Sequence, residues 1–394
     1  MAIDNKNKVL NVPHLRFPEF SGKWEKHLLG EVGETIIGLT YKPSDVVNKD
    51  GIIVFRSSNI KNGVIDYSDL VRVNKVIKER IITKENDILV CARNGSQRLI
   101  GKNAIIKKGD ANNTFGAFMM VYRSNDNPFI LPLLSTKRYI SQVSENLGAR
   151  INQITTSDFN GFEFYFPENH SERVKISELF RLLDERIATQ NKIIKDLKKL
   201  KSAIIEKLYF NIQGKEYSYG QLFEVVNERN KQMEYSNILS ASQEKGMVNR
   251  DDLNLDIQFE CNNINTYKIV REGDYVIHLR SFQGGFAFSD KLGVCSPAYT
   301  ILRPNRLLEF GYLSYYFMSY RFIKSLIIVT YGIRDGRSIN VEEWLNMKIV
   351  IPSKERQIYI LKILKSVEGK IKNEETYATC LSKQKQYLLQ QMFI

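Results

Sequence analysis

Apolar residues recur at alternating steps of four and three along two long stretches of the chain. The first stretch runs from Ile176 to Leu208, and eight of its ten positions are apolar. Adding 184 to each number gives the second stretch, Ile360 to Met392, where eight of ten positions are again apolar. The spacing is that of the a/d seam of a coiled coil, and a helix of about 33 residues is roughly 50 Å long.

The polar interruptions of the two seams fall at matching places. Gln190 corresponds to Glu374, and Lys201 corresponds to Lys385. A polar residue on a seam weakens packing but fixes register and partner. We therefore predict a matched pair of helices that run antiparallel, although two ordinary amphipathic helices on separate domains would give similar periodicity. The predicted helix-pairing residues are Ile176, Phe180, Leu183, Ile187, Ile194, Leu197, Ile204, Leu208, Ile360, Leu364, Val367, Ile371, Leu381, Leu388 and Met392.

The segments that precede the helices also repeat. The sequence `KENDILVCAR` matches `REGDYVIHLR`, and `DFNGFEFYFP` matches `EWLNMKIVIP`, in the same order and at nearly the same shift. Each helix follows a proline, Pro167 or Pro352, and the Glu-Arg pair beginning at Glu172 is matched with the pair beginning at Glu355. Such self-similarity indicates one supersecondary design written twice.

Short β-like runs separated by Gly, Asn and Asp fill both segments. The runs are `GIIVF`, `DILVCA`, `AIIKK` and `AFMMVYR` in the first, and `DYVIHL`, `AYTILR` and `MKIVIP` in the second. Helices are predicted at `PLLSTKRYISQVSENL` and `LSYYFMSYRFIKSLI`. The fold class is thus α+β, with two similar globular domains separated by two long helices that pair as an antiparallel coiled coil. The predicted boundaries are 1–167 for the first domain, 168–212 for the central helix, 213–352 for the second domain and 353–394 for the C-terminal helix.

The formal net charge of +13 favours a polyanionic partner, of which nucleic acid is the commonest. A basic surface that only maintains solubility is the alternative. The four cysteines are scattered without a C-x-x-C pair, which argues against a disulfide framework or a zinc site. The first twenty residues lack the apolar run of a signal peptide, and no window of eighteen apolar residues occurs. We therefore expect a cytoplasmic protein.

Polar loops between the matched strands are the predicted DNA contacts, because Arg, Asn, Gln, Ser and Lys read base edges and hold phosphates. The alternative is that these residues are ordinary surface-loop residues with no ligand, because polar side chains are common in any surface loop. The predicted DNA-binding residues are Arg56, Ser57, Ser58, Asn59, Lys61, Arg93, Asn94, Gln97, Arg98, Lys102, Arg150, Asn152, Ser242, Gln243, Lys245, Arg280, Ser281, Gln283, Arg334 and Arg337.

Motifs of catalysis are incomplete. `GSQRLIGKN` has five residues between its glycines where a P-loop has four, and it ends in Asn103 where Ser or Thr is needed. `NDNPFI` lacks the second proline of the adenine-methyltransferase motif. None of the four histidines sits at metal-ligand spacing. These observations predict a binding protein with no catalytic residue, metal site or cofactor of its own.

The opening `LRFPEFSGKWEKHLLGEV` and the helix ending `LKKLKSAIIEKLYF`, echoed at the C-terminus, resemble the specificity subunits of type I restriction–modification systems. The resemblance covers nearly the whole chain. It implies that each domain is a target recognition domain that reads one half of a bipartite DNA target, and that the helices set the gap. It further implies docking of two modification (methyltransferase) subunits, which bring S-adenosylmethionine, and of restriction subunits, which use ATP and Mg²⁺.

Two other functions fit parts of the sequence. A scaffold that binds proteins only would share the repeat, with its charge incidental. A stand-alone DNA methyltransferase or nuclease with an unrecognised site would share the charge. Steep salt sensitivity of DNA binding would oppose the scaffold. Methylation or cleavage by the purified chain alone would favour the enzyme.

Overall fold

The computed structural model describes residues 11–149, 152–242, 245–253, 261–278, 285–331 and 338–394. The chain forms two compact units. The first comprises Met1–Gln190 and Tyr377–Ile394, and the second comprises Asn191–Thr376. Each unit therefore contains part of both long helices. The boundaries predicted at 167, 212 and 352 follow a different criterion and stay predictions.

The first unit mixes short strands with short helices before the chain enters the long central helix. Its elements are β1 (Trp24–Leu28), α1 (Leu29–Val32), β2 (Glu34–Ile37), β3 (Val46–Val47), β4 (Ile52–Phe55), β5 (Ile60–Lys61), β6 (Val64–Ile65), β7 (Val71–Val73), β8 (Ile88–Cys91), β9 (Asn103–Ile105), β10 (Thr114–Phe115), β11 (Met119–Arg123), α2 (Asn127–Leu133), α3 (Lys137–Ala149), α4 (Thr156–Asn160), β12 (Glu163–Pro167) and α5 (His170–Phe210), which continues into the second unit.

The second unit begins and ends with the same order of elements as the first but differs between those ends. It contains β13 (Lys215–Ser218), α6 (Tyr219–Leu222), β14 (Phe223–Val226), β15 (Leu239–Ser242), β16 (Gly246–Asn249), β17 (Lys268–Val270), β18 (Tyr275–Ile277), β19 (Phe286–Phe288), β20 (Gly293–Cys295), β21 (Thr300–Pro304), α7 (Tyr320–Ser325), β22 (Thr330–Tyr331), β23 (Ser338–Ile339), α8 (Val341–Asn346), β24 (Lys348–Ile351) and α9 (Lys354–Met392), which returns to the first unit.

A four-stranded antiparallel sheet forms the centre of each unit. The strand order is β2-β11-β8-β9 in the first and β14-β21-β18-β19 in the second. Each unit also pairs its first strand with its last, β1 with β12 and β13 with β24. The same topology twice confirms the predicted α+β repeat.

The central strands read as continuous apolar runs because both faces of the sheet are covered. In β8, Ile88 and Val90 belong to the core under the helices, whereas Leu89 and Cys91 belong to a second core on the opposite face. Strand β18 divides in the same way, with Val276 on the opposite face from its two neighbours.

The two predicted short helices differ from the structure. The stretch 132–147 is broken between α2 and α3, where the Thr136 hydroxyl donates to the carbonyl of Leu133 at 2.7 Å. The stretch 313–327 is divided into a 3₁₀ turn, α7 and another 3₁₀ turn. Ser319 caps α7 by accepting from the Phe322 N–H at 3.3 Å. Hydroxyl side chains compete with the helical ladder at both interruptions.

The two long helices run antiparallel within each unit. In the first unit Asp184 lies beside Lys385, and Arg186 lies beside Tyr377. In the second unit Lys198 pairs with Glu375 at 2.7 Å, and Lys201 pairs with Glu368 at 2.6 Å. Rising numbers on α5 meet falling numbers on α9, which confirms the antiparallel arrangement expected from the seams.

Candidate nucleic-acid interface and helix pairing

Three of the predicted loops meet in the first unit. We call residues 55–63, 91–103, 115–119 and 152–158 the first loop cluster. The Asn94 side chain donates to the Ser57 hydroxyl at 2.9 Å, and the Asn94 N–H donates to the carbonyl of Asn152 at 3.3 Å. The Asn152 side chain in turn donates to the carbonyl of Gly95 at 3.3 Å. Predicted residues from three separate stretches are thereby brought together.

Asn152 has a left-handed backbone, φ 56°, which asparagine tolerates better than most residues. Because its neighbours bond across to the loop after β8, this bend is fixed by tertiary contacts. Next to it, Arg93 is exposed, and its guanidinium carbon lies 5.3 Å from the centre of the Phe118 ring. The cluster thus presents amides, a hydroxyl and a guanidinium side by side. These are the groups that hydrogen-bond base edges and phosphates.

Two further predicted residues, Arg56 before the hairpin β5–β6 and Lys61 on it, pair with acids of the segment that follows the hairpin. Asn62 and Gly63 form its turn with φ values of 52° and 75°, as a tight primed turn requires. Arg56 pairs with Asp69 at 2.8 Å, and Lys61 pairs with Asp66 at 2.9 Å. Hydrogen bonds from the Ser68 hydroxyl and from Lys61 lower the pKa of Asp66 to about 2.

Asn59 is a correction to the predicted surface set. It is 0% exposed, its amide oxygen accepts the Arg56 N–H at 2.9 Å, and its amide nitrogen donates to the carbonyls of Asp66 and Asp69. Both amide N–H groups and the amide oxygen are thus bonded to the backbone on either side of the hairpin. Asn59 therefore supports the loop from within and does not face a ligand.

Three of the remaining predicted residues of the first unit lie on the β8–β9 connection, and Ser58 lies in the turn before β5. Gln97 and Arg98 lie exposed on a 3₁₀ turn, Gln97–Leu99, and Ser58 is exposed as well. Lys102 is half-buried, and its carbonyl accepts the Cys91 N–H at 2.8 Å. Gln97, Arg98 and Lys102 lie on the same connection as Arg93. The structure shows no contact among their side chains.

The second unit offers a smaller described set. Ser242 ends β15 and Lys245 is exposed in the turn before β16. The His278 N–H donates to the carbonyl of Gly285 at 2.8 Å and closes the connection from β18 to β19. The other predicted residues of both units lie outside the described residues: Arg150, Gln243, Arg280, Ser281, Gln283, Arg334 and Arg337.

A buried aspartate–arginine pair recurs beneath each central sheet. Asp87 is 2% exposed and Arg123 bonds it with two nitrogens at 2.9 and 2.7 Å. Asp274, also 2% exposed, is bonded by Arg303 with two nitrogens at 3.0 Å each. Such forked pairs fix geometry as well as charge. The pairs hold the strand that leads into each predicted loop.

The same pairs explain the matched sequences `KEND` and `REGD`. Each aspartate also accepts the backbone N–H three residues before it, from Lys84 at 2.8 Å and from Arg271 at 2.9 Å. The residue before each aspartate is left-handed, Asn86 with φ 68° and Gly273 with φ 94°. Sequence reasoning aligned the aspartates but missed the arginines, although these too recur at matching places on β11 and β21.

The seam positions lie on the inner side of both helices. All fifteen predicted helix-pairing residues are buried or half-buried. At one end, Ile176 and Phe180 share a core with Met392 of the other helix. At the other end, Ile205 shares a core with Ile360. Which individual residues contribute to pairing stays a prediction.

The lysines that interrupt the seams each face an acid on the opposite helix. Lys201 meets Glu368, and Lys385 meets Asp184. The second unit adds a clamp to its pair, because the Tyr315 hydroxyl donates to Glu368 at 2.6 Å and the Lys201 ammonium lies 5.0 Å from the Tyr315 ring centre. Burial would raise the pKa of Glu368, but the hydrogen bonds from Lys201 and Tyr315 outweigh it and lower that pKa.

Each long helix is latched at its start to the proline before it. Arg173 donates to the carbonyl of Pro167 at 2.9 Å and pairs with Asp126 at 3.2 Å. At the corresponding place Gln357 donates to the carbonyl of Pro352 at 3.1 Å. Gln357 is 1% exposed and also bonds the backbone at residues 307 and 309. Arg173 thus corresponds to Gln357, one position away from the predicted match of the Glu-Arg pairs.

Glu172 and Glu355, which the sequences matched, differ in the structure. Glu172 is 0% exposed and holds Arg16 through two bonds of 2.7 Å. Glu355 is exposed, and a hydrogen bond with the Ser353 hydroxyl lowers its pKa. Only the first of the two glutamates therefore ties the helix to another segment of its unit.

Cys91, Cys295 and His278 are buried or half-buried, whereas the free thiol of Cys380 is exposed on α9. Burial raises the pKa of the Cys91 thiol to about 11 and that of the Cys295 thiol to about 12. Burial lowers the pKa of His278. Across the described ranges, no group of three His, Cys, Asp or Glu side chains could hold a metal ion. In the same part of the chain, no helix is long and apolar enough to span a bilayer.

Comparison with known proteins identifies the repeat. The family model described as "Type I restriction modification DNA specificity domain" matches twice, at residues 21–199 and 213–379. The EcoKI specificity subunit of Escherichia coli (strain K12) is 27% identical over 228 residues, 55% of this chain and 48% of the relative. The StySPI specificity subunit of Salmonella potsdam is 28% identical over 193 residues, 46% of this chain and 42% of the relative. The chain thus spans about half the length of these curated relatives.

A solved structure shares the fold. The crystal structure of a type I restriction–modification system S subunit from M. genitalium superimposes with a TM-score of 0.56 at 15% sequence identity. The superposition covers 97% of this chain and 99% of that one. With two family matches that together span most of the sequence, the chain belongs to the type I restriction–modification DNA specificity family.

Proposed function

We propose that the protein is the sequence-specific DNA-binding specificity subunit of a type I restriction–modification complex. Each unit reads one half of a bipartite target through the loops beside its central sheet. The observation that carries this proposal is the doubled design: two family matches, two central sheets of one topology and two buried Asp–Arg pairs. The net charge of +13 supports a DNA partner.

The paired helices set the length of the unread gap and dock two modification (methyltransferase) subunits. Continuous helices of 41 and 39 residues support the first role. Apolar side chains on their outer faces support the second. Val174, Leu182 and Leu200 are 53%, 50% and 52% exposed on α5, and Ile358 is 53% exposed on α9. Apolar surface of this kind is typical of protein–protein contact.

Chemistry resides in the partner subunits of the proposed complex. The modification subunits bring S-adenosylmethionine, and restriction subunits bring ATP and Mg²⁺ chemistry. This chain supplies recognition and assembly only, and it works in the cytoplasm beside the DNA. The protonated thiols of Cys91 and Cys295 fit a non-catalytic role, since the thiolate is the nucleophilic form.

A heptad deletion tests the gap-setting role. Residues 187–193 and 378–384 are removed together, which keeps the a/d pattern and leaves the Asp184–Lys385 and Lys198–Glu375 pairs in place. Seven residues of helix correspond to about 10 Å, or roughly three base pairs. Bound duplexes are then selected from a random-sequence library. We expect the same two half-sites with a gap shorter by about three base pairs.

The control replaces residues 187–193 with another heptad of the same a/d pattern and should leave the gap unchanged. An unaltered gap in the deletion variant would contradict the ruler. Binding that is insensitive to salt and sequence would favour a protein scaffold instead. Methylation or cleavage by the purified chain would favour a stand-alone enzyme.

A further inference from the structure

The first loop cluster, which is otherwise polar, contains one exposed apolar ring beside Arg93. Phe118 is 60% exposed, in the turn that leads from β10 to β11. A single exposed apolar residue is common and decides nothing by itself. Its setting is less common, because the surrounding predicted contacts are polar and the ring has a guanidinium beside it.

The turn that carries Phe118 is rigidly placed. The Phe118 carbonyl accepts two N–H groups from the end of β8, from Ala92 at 3.0 Å and from Arg93 at 2.9 Å. On the other side, the Leu39 N–H donates to Phe115 at 2.7 Å and the Ala117 N–H donates to Leu39 at 2.9 Å. A ring held outward by a backbone bonded on both sides is preorganised for contact, which lowers the entropic cost of binding.

The fold does not need the ring. The second unit builds the same turn before β21: the Tyr299 N–H donates to Ser296 at 3.1 Å, as the Met119 N–H donates to Gly116 at 2.8 Å. At the position of Phe118 that turn has Ala298, which is exposed. Since one copy of the repeat folds with a methyl group there, the phenyl ring of the other copy is available for a ligand.

Arg93 and Phe118 together match the edge of a DNA base step. Guanidinium groups bind the O6 and N7 atoms of guanine, and phenylalanine makes apolar contact with the C5 methyl of thymine. The Arg93 guanidinium lies 5.3 Å from the ring centre, and no acid among the described residues pairs with it. Both groups can therefore meet neighbouring bases.

We propose that Phe118 is a specificity-determining residue that contacts a thymine methyl group in the half-site read by the first unit. Arg93 hydrogen-bonds an adjacent base from beside the ring. This inference rests on the proposed function, because it names a contact within the DNA target of that function. It also assigns the two units unlike preferences, since Ala298 offers no ring to the other half-site.

The test is a double-mutant cycle between protein and DNA. Wild-type chain first selects its target from a random duplex library, and each thymine of both half-sites is then replaced in turn by uracil, which lacks the methyl group. Phe118→Ala is expected to weaken binding of the wild-type target by roughly 10-fold, as for one lost base contact. One uracil replacement should weaken wild-type binding equally. That replacement should cost the Phe118→Ala variant nothing further.

Matched variants isolate the ring. Ile140 is 58% exposed on α3, so Ile140→Ala removes an equally exposed apolar group and should leave affinity unchanged. Phe118→Leu keeps an apolar side chain and should recover part of the affinity while retaining the uracil effect. A thermal melt shows whether each variant is folded.

Several results would overturn the inference. One is a variant that binds like wild type. Another is a Phe118→Ala variant whose affinity falls by the same factor on the thymine duplex and on every uracil duplex. That result would indicate that the ring stacks between bases and does not contact a methyl group. A third is a target without thymine in the affected half-site. If wild-type chain selects no bipartite sequence at all, the proposed function itself fails. If wild type selects a bipartite target and Phe118→Ala binds it equally well, only this inference is contradicted and the proposed function stands.

Discussion

The start of each long helix is held by a hydrogen bond to the carbonyl of the preceding proline, but the side chain that donates it differs between the two units. Arg173 latches α5 to the carbonyl of Pro167, and Gln357 latches α9 to the carbonyl of Pro352. The first latch is ionic and balanced by Asp126, whereas the second is a neutral amide with three backbone partners. The repeat thus preserves the position of a donor and the backbone it binds, but not its charge.

The helix ends differ in a similar way. Phe393 and Tyr209 are 184 residues apart and hold the same place in the repeat. Phe393 packs against the rings of Trp24, Phe129 and Phe180 at 6.2, 5.8 and 5.5 Å. Tyr209 packs against Tyr312 at 5.2 Å and donates its hydroxyl to the carbonyl of that residue. Each unit has adapted an equivalent aromatic residue to its own core.

Removal of the Phe393 ring should have the largest effect on stability. Phe393→Ala leaves a cavity at a position that is 7% exposed and should destabilise the first unit by about 3 kcal/mol. The protein has two tryptophans, Trp24 in the first unit and Trp344 in the second. A denaturant titration in a Trp344→Phe background follows the first unit alone through its fluorescence.

The control for that experiment is Tyr387→Ala, at a 59% exposed position of the same helix. It should move the transition little. The comparison predicts that Phe393→Ala spares the Trp344 signal in a Trp24→Phe background. A shift of both transitions by the same amount would show that the cores are not separate.

An exchange of latch chemistry should have an intermediate effect. Gln357→Glu loses the amide donor to residues 307 and 352 and buries a carboxylate among carbonyls, for a loss of about 2 kcal/mol near neutral pH. Protonation of the new carboxyl restores a donor, so the loss should shrink as pH falls. Urea titrations of Trp344 fluorescence at several pH values measure it.

The matched control is Glu355→Gln, an exposed change in the same helical turn, and it should be nearly neutral. If Gln357→Glu is harmless at pH 7, the amide latch contributes little and the likeness to Arg173 is only geometric.

The smallest effect is expected at the seam lysines. Glu368→Gln weakens the pair with Lys201 in the clamped copy and should cost about 0.5–1 kcal/mol, because solvent screens a side chain that is 50% exposed. The folded pKa lies below the ordinary 4.5, so this stability is present above that value and is lost as pH falls through the folded pKa. Urea titrations should show variant and wild type differing in stability at pH 7, and the difference should shrink as the pH is lowered below 4.5.

Asp184→Asn in the unclamped copy provides the counterpart. Among the described residues the partner of Asp184 is Lys385 and no tyrosine hydrogen-bonds it, so we expect a smaller cost than for Glu368→Gln. Equal costs in the two copies would indicate that Tyr315 adds nothing to the pair.

The sequence predicted the repeat and the seams well because periodicity and self-similarity are properties of local order. It could not predict Asn94 bonding Ser57, since their contact depends on how distant loops fold together. Asn59 read as a surface residue because hairpin loops are polar, yet its amide is consumed by the hairpin itself. Phe118 escaped notice because an aromatic beside β11 reads as core. The assignment of individual residues to DNA contact stays a prediction.

The burial of Phe393 also has a consequence for biosynthesis. The second unit is one uninterrupted segment, whereas the first needs residues 377–394 to complete its core around Trp24. Domains commonly fold as they leave the ribosome, in order of synthesis. Here the order is inverted, because the core of the first unit is completed only when the last turn of α9 has been synthesised. Until then, part of the apolar surface of the first unit stays uncovered.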